Sequence, residues 1–174
     1  VWNIARQQKA QGLTPEILCT SALDKVGTEV VDGITIRRFP YFYPYFPMPE
    51  KDKLALDKKG GNPFAPELMK TLRRGGYDIF HIHAGGRLAN YSLRLAKKLS
   101  IPTLMSLHGG SCAIPKQEME LMLKPLKHKF SYGGIIDRIK RTRFAPESRM
   151  DLLLALSKEE TTALQNRFPH AKVQ

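Results

Sequence analysis

Two histidines and two glycines close the apolar segment YDIFHIHAGG at residues 77–86. Side chains alternate along a strand, so His81 and His83 are expected on one face of it. Together with His108, which ends a second apolar segment, they make three imidazoles that can in principle bind zinc. Asp78 is the only acidic residue near either segment, and it stands at the start of its strand. We therefore predict no metal site and interpret His81 as a hydrogen-bonded core residue, with a histidine-based metal hydrolase as an alternative.

The same two segments share a second pattern, in which Gly-Gly follows a histidine, as HAGGR and as HGGS. Glycine lets a ligand approach the backbone closely, and the amide groups at a helix start attract anions. Two such turns at neighbouring strand ends indicate an edge that binds phosphate or sugar. The residues of this edge are His83, Gly85, Gly86, His108, Gly109 and Gly110.

A parallel sheet would bring these turns together. Short apolar segments at 16–21, 77–83, 101–107 and 150–157 alternate with helix-like segments. Near-continuous apolar strands joined by helices predict a doubly wound α/β domain, with a parallel sheet flanked by helices. In such sheets ligands bind beyond the carboxyl ends of the strands, which is where both Gly-Gly turns are expected.

The segments before residue 77 carry local turn signals. Asp32-Gly33 between two apolar runs predicts a tight hairpin. The aromatic, proline-rich segment 40–49 predicts neither a helix nor a central strand. A charged loop is expected from there to about Asn62.

The segments after residue 115 predict mainly helices. Residues 116–144 should form helical pieces, with an apolar stripe that includes Phe130. Pro125 and Gly133-Gly134 are expected to break them. The stretch 157–160, SKEE, is a capping box that predicts the start of the last helix.

The composition is that of a globular protein with an unusual charge. The 174 residues are 42% hydrophobic and 25% charged, which fits one domain, and the formal net charge is +12. Such a charge favours polyanionic partners: nucleic acid, anionic lipid or phosphorylated molecules. Two distant cysteines and the lack of an apolar run of about 20 residues predict a cytoplasmic protein that meets a membrane only at its inner face.

The basic residues concentrate between residues 116 and 143. One interpretation is a solvated helix face, and the other is an amphipathic surface that contacts anionic membrane or a phosphorylated acceptor. A basic nucleic-acid-binding module is a further alternative, although the aromatic segment 40–49 is distant in sequence from these cations. The cations are Lys116, Lys124, Lys127, Lys129, Arg138, Lys140, Arg141 and Arg143.

Five segments occur in the order and spacing of family-four glycosyltransferases, and the chain resembles the N-terminal, acceptor-side domain of these retaining enzymes. The segments are VWNIARQQKAQGLTPEILCTS, EVVDGITIRRFP, LRRGGYDIFHIHAGG, AKKLSIPTLMSLHGG and MDLLLALSKEETTALQNRFPHAKVQ. The resemblance implies a GT-B architecture of two facing Rossmann-like domains, of which residues 1–174 are one. It places the first strand and the domain that binds the nucleotide-sugar donor outside this sequence, so the fragment alone is expected to be inactive.

The resemblance also implies roles for the candidate residues. His108 is expected at the acceptor and the transferred sugar as the catalytic residue. The acceptor side of the cleft would be lined by His83, Gly85, Gly86 and Arg87, while Gly109, Gly110 and Ser111 would bind a phosphate or sugar hydroxyl. Transfer with retention would then depend on positioning and on charge stabilisation of the leaving diphosphate, with no cofactor besides the donor. The expected product is a glycolipid, a polysaccharide or a related glycoconjugate.

Overall fold

A mixed sheet follows the first helix of the chain. The computed structural model describes residues 1–59, 61–83, 85–107, 116–139 and 147–174. Helix α1 (Trp2–Ala10) ends before Gly12, whose positive φ of 86° lets the chain turn. The strands are β1 (Glu16–Thr20), β2 (Gly27–Val31) and β3 (Ile34–Phe39), in the order β1-β3-β2. β1 and β3 are parallel, whereas β2 and β3 form the predicted antiparallel hairpin.

Asp32 and Gly33 make the turn of that hairpin. Their φ angles are +49° and +70°, as a type I′ turn requires at both central positions. Lys9 of α1 donates from Nζ to the Asp32 carbonyl at 2.8 Å. The turn prediction is confirmed.

A parallel sheet forms the second half of the fold. Its strands are β5 (Phe80–Ile82), β6 (Thr103–Ser106) and β8 (Leu152–Leu154), paired in that order. Both pairings are parallel, with Ile82 opposite Met105 and Met105 opposite Leu153. A parallel bridge from Leu153 to Val173 extends the sheet.

Helices pack on these sheets through two apolar clusters. Helix α3 (Pro66–Arg74) and helix α4 (Gly86–Leu99) have buried faces that meet Leu18 of β1 and Phe80 of β5. A second cluster joins α4 to β6 and β8 through Leu93, Met105 and Leu153. The α/β prediction, with a parallel sheet flanked by helices, is confirmed.

A helix replaces the loop predicted after residue 49. Helix α2 (Glu50–Lys58) has Glu50 and Asp52 in its first turn and Lys58 in its last, which suits the helix dipole. Its few apolar residues hid its period, but Leu56 is buried. The loop prediction is wrong because a buried leucine and the charges at both ends of the helix stabilise it where neighbouring chain covers it.

The predicted helical run after residue 115 contains a strand. Helix α5 (Lys116–Leu123) ends in a 3₁₀ turn (Lys124–Leu126), as Pro125 predicts. Phe130 lies in β7 (Phe130–Ser131), which pairs antiparallel with β4 (Tyr45–Phe46), so its assignment to a helical stripe is wrong.

The glycines at 133–134 start a helix rather than break one. Helix α6 spans Gly133–Ile139. A Cβ added at Gly133 would come within 2.8 Å of Pro44 Cγ, so close packing explains this glycine. Both glycines lie within the helix, so the prediction of a break at this pair is wrong.

The last helix begins at the predicted capping box. A 3₁₀ turn (Glu147–Arg149) precedes β8, and helix α7 spans Lys158–Arg167. Ser157 Oγ accepts from the Glu160 amide at 3.1 Å, while the Glu160 carboxylate accepts from the Leu156 amide at 2.7 Å. The prediction is confirmed, with the reciprocal bond shifted by one residue.

Candidate functional site

His83 lies at the carboxyl end of β5, one residue after the strand. Its ring lies over the ring of His81, with 4.0 Å between centroids. His81 is half-buried, and its Nε2 is 2.8 Å from Ser106 Oγ at the end of β6. His81 is therefore hydrogen-bonded, as predicted, but it is only half-buried and lines a cavity, so its assignment to the core is confirmed only in part. His83 lies nearer the edge where ligands of such sheets bind.

Gly85 and Gly86 form the start of α4. Gly86 has a φ of +81°, and a Cβ there would lie 2.7 Å from Asn62 Oδ1. That oxygen accepts from the Arg87 amide at 2.8 Å. The turn does present a helix amide to an oxygen, as its glycines predict, but the acceptor of the Arg87 amide is a side chain of the protein itself.

Arg87 is buried and its guanidinium faces the interior. Its Nε lies 3.1 Å from each carboxylate oxygen of Asp137 on α6, which is also buried. Its Nη1 donates to the Asn62 carbonyl at 2.6 Å, and the group lies 4.7 Å above the Phe64 ring. Arg87 thus anchors the start of α4 to α6, and its contact with a substrate stays a prediction.

A carboxylate lies beside the first glycine turn. The Glu147 Oε1 atom is 3.6 Å from the position that a Cβ on Gly85 would occupy. Glu147 is 62 residues from Gly85 in sequence (147 − 85), so no local spacing could have indicated it. Asn62 and Asp137 were missed for the same reason.

A cavity of about 440 Å³ opens beside these residues. Its lining includes His83, Gly85 and Asn62, which we call the polar side of the cavity, together with residues of β1 and the chain around β5. Among the described strands β1 pairs only with β3 and β5 only with β6, so one backbone edge of each faces the cavity. An open strand edge pairs with extended polypeptide rather than with a sugar. We therefore take the polar side of the cavity, lined by His83, Gly85 and Asn62, as the candidate ligand site.

The second glycine turn lies outside the described residues. His108, Gly109, Gly110 and Ser111 belong to this part, as do the cations Lys140, Arg141 and Arg143. Their predicted roles stay predictions. Within the described ranges no group of three or more His, Cys, Asp or Glu side chains is placed to hold a metal ion.

The aromatic segment packs on α2 through a buried carboxylate. Asp57 accepts from the Tyr41 hydroxyl at 2.6 Å and from the Tyr43 hydroxyl at 2.9 Å. Burial, and then the bond to Asp57, raises the pKa of both tyrosines. Phe42 stacks on Phe64 at 5.7 Å. The segment is therefore packed against the rest of the protein as far as Tyr43, and the two tyrosine hydroxyls are engaged by Asp57.

No helix in the described part of the chain is long and apolar enough to cross a bilayer.

One comparison with known proteins gave a match. A family model described as Glycosyltransferase Family 4 matches residues 1–174, the whole chain. No curated protein and no solved structure matched significantly.

Proposed function

The chain belongs to glycosyltransferase family 4, and from this premise we propose that it is the acceptor-binding domain of a retaining glycosyltransferase that uses a nucleotide-sugar donor. The family match supports a glycosyltransferase domain with a Rossmann-like α/β fold. The acceptor role is argued from one observation: polar groups gather at the carboxyl end of β5, beside the start of α4.

The polar side of the cavity suits a polyhydroxylated ligand. His83, Asn62 and Gly85 line it, and Glu147 Oε1 lies 3.6 Å from the position of a Cβ on Gly85. Sugar hydroxyls both donate and accept hydrogen bonds, so a mixture of donors and acceptors on a rigid edge suits them. These residues would orient the acceptor hydroxyl toward the donor.

The proposed reaction transfers one glycosyl group. The acceptor oxygen forms a bond to the anomeric carbon of the donor sugar while the bond from that carbon to the diphosphate oxygen breaks. The acceptor loses its proton, and the nucleoside diphosphate leaves with the negative charge. Positioning and stabilisation of that charge would supply most of the catalysis.

The donor-binding groups belong, on this proposal, to a second domain of the full-length protein. His108 is proposed to contact the acceptor and the transferred sugar, with Gly109, Gly110 and Ser111 offering amides and a hydroxyl to phosphate or sugar. The 174-residue chain alone is proposed to be inactive. The product is proposed to be a glycolipid or polysaccharide made on the cytoplasmic side.

The experiment assays the full-length protein with a panel of nucleotide sugars and lipid or saccharide acceptors. We expect transfer from one donor, with the anomeric configuration of the product read by proton NMR and equal to that of the donor. Inversion would overturn the retaining mechanism. Absence of transfer and of donor hydrolysis across the panel would overturn the proposed activity.

His108 has its own test in the same assay. We expect His108→Ala to lower turnover by at least about 10²-fold, as loss of a preorganised polar group does. The control is His170→Ala, because His170 is an exposed histidine and lies outside the bridge from Val173 to Leu153. Equal turnover of the His108 and His170 variants would remove His108 from the site.

A further inference from the structure

Two phenylalanines project side by side from the short ribbon formed by β4 and β7. Phe46 and Phe130 are directly opposite each other in the antiparallel pairing, so their side chains extend from the same face. Phe46 is 70% exposed and Phe130 is 66% exposed. A pair of phenyl rings in water is unfavourable by the hydrophobic effect, which makes it a mark of an interaction surface.

Helix α6, which begins two residues after β7, also exposes apolar side chains. Ile135 and Ile139 lie one helical turn apart on its outer side and are 60% and 71% exposed. Gly133 and Asp137 of the same helix are buried against the protein. The helix therefore turns its polar anchor inward and its isoleucines outward, the reverse of an ordinary surface helix.

The cations near this surface are not neutralised. Lys124, Lys127 and Arg138 are exposed, and none of them forms an ion pair in the part of the chain that the structure describes. The two ionised groups that are paired point into the protein: Lys129 binds Asp52 at 2.6 Å, and Asp137 binds Arg87. Glu118 and Glu120 on the preceding helix α5 oppose this charge, yet the chain as a whole carries +12.

The surface is firmly supported from below. Lys129 Nζ donates to the Pro47 carbonyl at 2.9 Å, and the Tyr132 amide donates to the Pro44 carbonyl at 3.1 Å. These bonds tie the two strands of the ribbon to each other, and the ion pair of Lys129 with Asp52 ties the start of β7 to α2. The exposed rings are thus held on a fixed frame, so they lose little conformational freedom on docking.

We propose that Phe46, Phe130, Ile135 and Ile139, with Lys124, Lys127 and Arg138, form a docking surface for an anionic phospholipid membrane. The apolar side chains enter the boundary between headgroups and acyl chains, and the cations meet the lipid phosphates. Charge complementarity selects this occupant over a neutral apolar partner. The proposal does not rest on the proposed glycosyl transfer, because binding to lipid needs no sugar donor.

The experiment is flotation of the purified protein with vesicles of phosphatidylcholine alone or with phosphatidylglycerol added. We expect binding to the anionic vesicles that weakens as salt is raised, and little binding to the neutral ones. The double variant Phe46→Ser/Phe130→Ser should lower the partition coefficient at least about tenfold. Lys124→Glu/Lys127→Glu should abolish the preference for anionic lipid.

The matched control is Val30→Ser, which removes an exposed apolar side chain from β2, in a different sheet from the ribbon. It should bind like the wild type, and unchanged thermal unfolding of all variants would show that the fold is kept. Wild-type binding by the Phe46/Phe130 double variant, or no binding by the wild type, would overturn the proposal. So would a concentration-dependent dimer that the double variant abolishes, since the surface would then be a protein interface.

Discussion

At the scale of single residues, Gly86 shows how the protein itself can use the space that a glycine leaves. The sequence predicts that a ligand approaches the backbone at this turn, which stays a prediction, and the structure places Asn62 Oδ1 beside it. Asn62 lies 24 residues before Gly86 (86 − 62). Local sequence shows that a glycine is needed, but it does not show which distant side chain uses the space.

Gly86→Ala should destabilise the protein. Its φ of +81° is strained for alanine, and the new Cβ would lie 2.7 Å from Asn62 Oδ1. We expect the free energy of unfolding to fall by about 1 kcal/mol or more, measured by urea denaturation.

The control for this change is Gly134→Ala in α6, where nothing lies within 4 Å of an added Cβ. Alanine there should be neutral or stabilise by up to about 1 kcal/mol, because it favours helix over glycine. Equal effects of the two variants on the free energy of unfolding would contradict the prediction that alanine is strained at Gly86.

At the scale of elements, helix α2 was missed because contacts with side chains of another segment stabilise it. The segment 50–58 is mostly charged, and its period gives little indication of a buried face. Asp57 accepts from Tyr41 and Tyr43, and it also pairs with Lys53 one helical turn earlier. Because the two tyrosines lie 16 and 14 residues before Asp57, its own segment does not show that they bury it.

The contact between α4 and α6 depends on one buried ion pair. Asp137→Ala should lower the free energy of unfolding by roughly 3–5 kcal/mol, since Arg87 would keep a buried charge without this partner. The double variant Arg87→Met/Asp137→Ala should recover part of that loss because no unpaired charge is left. Both are measured by chemical denaturation.

The comparison for this pair is Arg6→Met, which removes an exposed pair in which Arg6 Nε is 3.9 Å from Asp32. Its effect should be below about 1 kcal/mol. A loss of the same size at both pairs would contradict the role of burial.

The start of β6 is joined to the start of β8 by Asp151. Its Oδ2 accepts from the Thr103 hydroxyl at 2.7 Å and from the Thr103 amide at 2.8 Å, and these bonds lower the pKa of Asp151 below its ordinary 3.8. A carboxyl with a lowered folded-state pKa contributes stability above its unfolded-state pKa and loses it as pH falls through the folded-state value. Stability should therefore fall in acid, at and below pH 3.8.

We expect Asp151→Asn to be less stable than the wild type at neutral pH, with the difference shrinking as the solution is acidified through that window. Thr103→Val keeps the carboxylate but removes the hydroxyl donor, so it should weaken the same pH dependence. Thermal unfolding midpoints across the acid range measure both. A constant difference at all pH values would show that Asp151 acts without its charge.

At the scale of the whole molecule, the alternation of the main strands and helices was predictable, whereas α2, β4 and β7 were missed and the lateral arrangement was predictable only in part. The strand–helix alternation and the Asp32-Gly33 turn come from short-range patterns, and they are confirmed. The separation into a mixed sheet and a parallel sheet, with β1 and β5 facing one cavity, comes from tertiary packing. The same limit applies to the site, since His83 and Gly85 were found from their turn whereas Glu147 arrives from a distant segment.

The buried pair of Arg87 and Asp137 also sets a distance. It fixes the start of α4, beside the candidate site, to α6, whose outer side carries Ile135 and Ile139. With that side lying on a bilayer as proposed, the site stands at one set height above the lipid headgroups. The pair would then favour acceptors whose spacer, between lipid anchor and reacting hydroxyl, matches that height.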